Sequence, residues 1–174
     1  TALYDYVTKN GITFAAYDDT GSRVGDSEVY WKYEDGVLTL TGTGKMTINS
    51  GEKPWKDYTN NITKIVINEG ITGTSGVAKI LGDLPKLKEV VIPDSFTTLS
   101  TGCFANTALT DVTLGENVTS MDSVSFSGCM SLKRLVVKNR NLNVNEQGPW
   151  CSDPDKNPLA RIPGNLTVYG YRYT

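Results

Sequence analysis

One phrase recurs along the middle of the chain: an apolar residue, two polar residues, then two apolar residues spaced two apart. It reads ITKIVI from Ile62, LKEVVI from Leu87, LTDVTL from Leu109 and LKRLVV from Leu132, a period of roughly 22–25 residues. A period of this length marks a stacked-repeat architecture. Within each copy the last two apolar residues lie on the same side of a strand. Those pairs are Ile65 and Ile67, Val90 and Ile92, Val112 and Leu114, and Leu135 and Val137. A single strand cannot bury such a side alone. Copies stacked about 4.8 Å apart turn the pairs into continuous ladders. Each fully buried Ile or Leu contributes roughly 1.5–3 kcal/mol, so two ladders make a substantial core. A fifth, partial copy, LTVYGY, starts at Leu166 after a longer gap.

The second half of the unit repeats too. LSTGCFANTAL aligns with MDSVSFSGCMSL on Leu99 and Met121, Phe104 and Phe126, and Leu109 and Leu132. This spacing does not suit a long helix and predicts short helical turns or coil on the return. The first copy is degenerate there and supplies Ile80, Leu81 and Leu84. Upstream, VYWKYEDGVLTLTG alternates apolar and polar residues around Asp35-Gly36, a two-residue hairpin signal. Trp31, Tyr33, Val37 and the Leu38–Leu40 stretch give this hairpin an apolar face that closes the open end of the first repeat. Solenoids need such caps. Trp55 is a second plug by the same reasoning, with ligand stacking as the other reading of both tryptophans.

The unit resembles the bacterial leucine-rich repeats of the BspA or Treponema type. The stretches that carry the resemblance are LKEVVIPDSFTTLSTGCFANTAL and LTDVTLGENVTSMDSVSFSGCMSL. Cys129 holds that family's usual cysteine position, Thr107 replaces it one copy earlier, and Cys103 departs from the pattern. Residues 31–71 resemble a leader that precedes such repeats in surface proteins of gut bacteria, LTVYGYRYT resembles their closing segment, and residues 1–30 match neither. The resemblance implies an α/β, β-rich fold: a short leucine-rich-repeat solenoid with one parallel strand per repeat and an N-terminal β-hairpin cap. The expected organisation is a segment and cap over 1–61, repeats over 62–142, and a long loop with a partial repeat over 143–174, all in one structural domain.

Composition narrows the chemistry. The chain has 174 residues, 39% of them hydrophobic and 21% charged, and a net charge of −2. No basic excess points to nucleic acid, and no apolar run reaches the ~20 residues of a membrane-spanning helix. The chain opens TALYDY, without Met or a leader pattern, which reads as a processed or trimmed fragment. It has no histidine, which removes Ser-His-Asp and Cys-His nucleophilic sites and His-ligated metals. The three cysteines, Cys103, Cys129 and Cys151, lack CxxC spacing and read as small buried apolar residues. TGTGK (41–45) fails as a phosphate loop, because Thr39 and Met46 occupy positions that require Gly and Ser/Thr. DPDKN (153–157) opens like a calcium loop, but Pro158 stands in place of the turn glycine and Gly164 in place of the bidentate Glu. Three N-x-T sequons, at Asn61, Asn117 and Asn165, fit chance in a Thr-rich chain. No local spacing announces a glycosidase-like carboxylate pair. The expectation is a non-enzymatic chain with no cofactor and no metal.

What remains is surface recognition. In a leucine-rich horseshoe the residues between the buried pairs face the concave side, here Val66, Val91, Thr113 and Val136. Lys64, Glu89, Asp111 and Arg134 flank them. Outward valines read either as a contact patch or as β-propensity alone. Trp150, Tyr169, Tyr171 and Tyr173 form a second candidate, an aromatic patch whose other reading is capping. The expected function is a recognition or adhesion module of a bacterial surface or secreted protein. It would bind a host or bacterial protein or glycan, without nucleic acid and without membrane insertion. The competing expectation is a structural spacer with no ligand of its own.

Overall fold

The computed structural model describes residues 21–49, 53–76, 78–122, 124–144 and 165–170. The strands are β1 (Ser22–Arg23), β2 (Val29–Glu34), β3 (Val37–Gly42), β4 (Gly44–Ile48), β5 (Lys64–Ile67), β6 (Ile71–Gly76) and β7 (Glu89–Val91). They continue with β8 (Thr98–Leu99), β9 (Asp111–Leu114), β10 (Ser120–Met121), β11 (Arg134–Val137), β12 (Asn143–Val144) and β13 (Thr167–Tyr169). Among the described residues the one helical segment is a 3-10 turn, Lys56–Tyr58.

The chain winds as a β-solenoid whose turns have two faces. The front face carries one strand per repeat, in the order β1-β2-β3-β5-β7 and then β9-β11-β13. The second face is a separate ladder, β4-β6-β8-β10-β12. All inter-turn pairs are parallel, whereas β1-β2 and β2-β3 are antiparallel. The β-rich repeat solenoid with a hairpin at its start is therefore the observed architecture. The expected single strand per repeat is joined by a second, short one at the start of each return, which takes in Leu99 and Met121, and the rest of the described returns after β8 and β10 is coil and tight turns without helix.

The hairpin does more than cap. Asp35 and Gly36 both adopt positive φ, 47° and 83°, the requirement of a tight two-residue turn between twisted strands. Its second strand then joins the repeats: Leu38 pairs with Ile65, and Leu40 with Ile67. The front ladder thus begins one strand before the phrase at Ile62. Trp55 is fully buried, and Trp31 meets it edge-on at 6.1 Å. Tyr33 stacks on Tyr58 at 4.3 Å. These contacts assign Trp31 and Trp55 to packing at the solenoid's start.

The core runs unbroken along the axis. Ile65, Ile67, Val112, Leu114 and Leu135 are buried from the front, and Met46, Leu99 and Met121 from the second face. The return side adds Leu81, Leu84, Phe104 and Phe126, with the two phenylalanine rings stacked at 5.7 Å and 17°. Offset stacking of this kind adds to the area term.

The partial fifth copy sits one residue out of the expected register. Thr167 pairs with Arg134, Val168 with Leu135 and Tyr169 with Val136. Aligning Leu166 with Leu132 would have put Tyr169 in the core row instead. A one-residue slip exchanges the two sides of a strand, and here Val168 takes the register position of Leu135 while staying 44% exposed, and Leu166 is half-buried against the core.

Candidate recognition surface

Parallel register decides which side chains share the front face. Thr39, Val66 and Val91 line up across β3, β5 and β7, while Thr113, Val136 and Tyr169 line up across β9, β11 and β13. The flanking row is Val37, Lys64 and Glu89, then Asp111, Arg134 and Thr167. Val91 is 42% exposed and Tyr169 50%, Thr113 is exposed, and Val66 and Val136 are half-buried. The structure therefore places all eight residues of the sequence-derived set on the front side of the solenoid, four on each of two successive sheets. It adds Thr39 and Tyr169 to the central row. Tyr169 had been grouped with Trp150, Tyr171 and Tyr173, which lie outside the described residues, as do Cys151 and the DPDKN segment.

The charges of the flanking row are largely spoken for. Lys64 Nζ lies 2.7 Å from Glu89 Oε1. The Arg134 guanidinium sits 5.2 Å above the Tyr169 ring centroid, a cation–π arrangement.

Two features of this face were not read from the sequence. The first is a break: β7 and β9 end their respective sheets rather than pairing with each other. Beside it Val90 and Ile92 are only half-buried, whereas their ladder neighbours Ile65, Ile67, Val112 and Leu114 are buried. The second is an acidic edge. Glu69, Asp94 and Glu116 each follow the last core residue of a front strand by two positions, and all three are exposed. Glu69 and Asp94 border an open cleft of about 680 Å³ whose floor includes Val66, Val91 and Ile92.

Inter-turn hydrogen bonds hold that corner. The Glu69 carboxylate accepts the backbone N–H groups of Asp94 (2.9 Å) and Ser95 (3.1 Å). The bond from the Asp94 N–H, together with those from Ser95, keeps the Glu69 carboxyl below its ordinary range. The Ser95 hydroxyl donates to the Ile71 carbonyl at 2.9 Å and accepts the Gly70 N–H at 3.0 Å. The Asn117 amide donates to the Asp94 carbonyl at 2.8 Å, and Asn139 to that of Val118 at 2.9 Å. Each turn is thus clamped to the next, which gives the front face a fixed spacing. The signal lay in NEG, PDS and GEN at the strand ends.

Elsewhere the chemistry is quiet. The second face carries hydroxyls that bond to one another: Thr47 with Ser75 at 2.7 Å and Thr74 with Ser100 at 2.9 Å. Cys103 and Cys129 are buried free thiols. Burial pushes the Cys103 thiol up to about 12 and raises that of Cys129 as well, so neither supplies a thiolate. TGTGK is the end of β3 and the start of β4, joined at Thr43. Gly42 there has φ 111°, and a Cβ on it would stand 2.1 Å from the Glu28 carbonyl oxygen, so its glycine serves a close backbone approach. Among the described residues no group of three or more carboxylate or thiol ligands converges, and no helix is long and apolar enough to cross a membrane.

Comparison with known proteins places this geometry. A leucine-rich repeat protein from Eubacterium ventriosum ATCC 27560 superposes with TM-score 0.57 at 19% identity, covering 84% of this chain and 42% of its own. A leucine-rich cell surface protein from Faecalibacterium prausnitzii A2-165 does so with TM-score 0.53 at 14% identity, covering 84% and 38%. At these identities the likeness is one of fold, and the chain spans about two-fifths of each relative's length. A search of the curated proteins found no match. The model of the BspA-type leucine-rich repeat region matches residues 56–149, more than half of the chain. The repeats, the parallel front ladder and this match agree, and the chain belongs to the BspA-type leucine-rich repeat family.

Proposed function

We propose that this chain is a non-enzymatic recognition module of a bacterial surface or secreted protein, and that it binds a partner protein or glycan on its front face. The observation that carries the reading is the central row. Thr39, Val66 and Val91 stand in register on one sheet and Thr113, Val136 and Tyr169 on the next, hydrogen bonds clamp the turns together, and Val91 beside the junction is 42% exposed. Apolar side chains kept exposed at the centre of an ordered face are what a partner desolvates on binding. The flanking ion pair and the acidic edge supply a polar rim, the usual surround of such a patch. Nothing in the mechanism requires a covalent step: affinity comes from burying partner surface against a face that does not have to reorganise.

The test is a solid-phase screen against matrix proteins, mucins and a glycan panel, with a Val91→Ser, Val136→Ser variant alongside. Serine removes the apolar contact and leaves the charge unchanged. The expected result is a ligand whose affinity falls at least tenfold in the folded variant. A ligand held equally by both proteins would overturn the front-face assignment. Silence across the whole panel would favour a spacer segment.

A further inference from the structure

We infer that the partner taken by the front face is an extended, cationic protein segment in which basic and apolar side chains alternate; this rests on the front-face reading above. Two parallel rows carry the inference. One is the apolar floor of Val66 and Val91. The other is the acidic edge, Glu69, Asp94 and Glu116, contributed by three successive turns. Floor and edge meet in one cleft of about 680 Å³, with Glu69 and Asp94 on its border.

The acids are available for a partner. None of the three pairs with a cation among the described residues, in contrast to Glu89, which Lys64 neutralises at 2.7 Å. Glu69 is ionised and fixed, because its hydrogen bonds to the Asp94 and Ser95 N–H groups hold both its charge and its position. The basic residues of this face lie elsewhere. Lys64 is paired, Arg134 covers Tyr169 two turns away from the cleft, and one turn beyond Glu116 the equivalent position is the neutral Asn139, which ends the acidic edge at three turns. An anionic partner would therefore meet unpaired carboxylates at the cleft, and a cationic one meets complementary charge.

Spacing selects an extended segment. Paired parallel strands lie about 4.8 Å apart, which sets the Glu69–Asp94 step, and Glu116 lies one turn further on, across the break between β7 and β9. Alternate side chains of an extended strand stand about 6.6–6.8 Å apart on one side. Two same-side cations can then each sit between neighbouring acids. The intervening residues point the opposite way, onto the valine row. A strand seated between the two rows satisfies both at once.

The experiment uses a fluorescein-labelled eight-residue peptide of alternating Lys and Val, with a Glu/Val peptide as its counterpart and spermine as competitor. Anisotropy is followed at low and moderate salt. The full chain is compared with Glu69→Gln, Asp94→Asn, Glu116→Gln and with a charge-matched control, Asp26→Asn, Glu28→Gln, Asp57→Asn. The expected result is binding of the Lys/Val peptide, weakened at least tenfold by the acid-edge triple and less than twofold by the control. Serine at 91 and 136 should weaken it as well. Equal losses in both triples would reduce the effect to bulk charge and overturn the inference. So would no binding, preference for the Glu/Val peptide, or full displacement by equimolar spermine. The two levels separate cleanly. If the array screen yields a ligand that needs Val91 and Val136 while the Lys/Val peptide fails, the face stands and the cationic partner falls. Circular dichroism of the acid-edge triple checks that its turns remain clamped, and a Glu116→Gln single variant, free of the Glu69 hydrogen bonds, supports the inference if it alone lowers affinity and counts against it if it does not.

Discussion

Replacing Phe126 by alanine probes the stacking of one turn on the next. The side chain is fully buried, and its ring lies 5.7 Å from that of Phe104, one turn earlier and also fully buried. Truncating a buried Phe to Ala costs about 3–5 kcal/mol, which combines the lost transfer energy with the cavity left behind. The stacked pair adds about 0.5–1.5 kcal/mol beyond area. Against a total stability of about 5–15 kcal/mol this is a large fraction. With a urea slope of about 2 kcal/mol/M, the unfolding midpoint should fall by roughly 2 M. The assay is equilibrium urea unfolding of wild type, Phe104→Ala, Phe126→Ala and the double variant, followed by circular dichroism. Because a solenoid turn touches only its neighbours, the two losses should couple. The double variant should lose about 1 kcal/mol less than the two singles added together. A single cost under about 1 kcal/mol, or strict additivity, would refute the claim that these rings form the inter-turn contact.

Three further outcomes follow from the same structure. Gly36→Ala should cost about 1–2 kcal/mol, the penalty of a left-handed residue. Gly42→Ala should cost more, since its Cβ would meet a backbone oxygen at 2.1 Å rather than a movable Thr63 side chain at 2.9 Å; urea midpoints rank the two. The Glu69 carboxyl is held below its ordinary value of 4.5 in the folded chain, so its contribution is present above that value and is lost as pH falls through the lower folded one. Glu69→Gln should flatten the acid limb of a stability-against-pH curve, and an unchanged limb would contradict the assigned hydrogen bonds. Native-state thiol labelling at pH 8, read by peptide mapping, should leave Cys103 and Cys129 unmodified and label both after unfolding.

The repeat was legible because each copy spends its signal where burial demands it. Ile65 and Ile67 or Val112 and Leu114 cannot change character without breaking a ladder that spans several turns. Phe104 and Phe126 were legible for the same reason. The second face was not: Thr98–Leu99 and Ser120–Met121 are two-residue strands, too short to show any period. Nor did β3 read as a repeat strand, since its Asp35-Gly36 hairpin signal masked the Leu38 and Leu40 pair that continues the ladder. The register of β13 turned on one residue in LTVYGY, where both Leu166 and Val168 could face inward. As for the recognition face, its valines and flanking charges could be listed from spacing alone. The acidic edge required three dimensions, because Glu69, Asp94 and Glu116 lie roughly 22–25 residues apart in the chain and one turn apart in space.

The front face, and no other, is expected to receive the partner. A photo-crosslinking benzophenone residue placed at position 91 on the front, and in a second protein at position 120 on the second face, tests it most directly. Each protein is irradiated with the Lys/Val peptide and with the matrix-protein and mucin panel. The expected result is adducts from position 91 that Val136→Ser diminishes, and none from position 120. Adducts from position 120 alone, or equally from both, would contradict it.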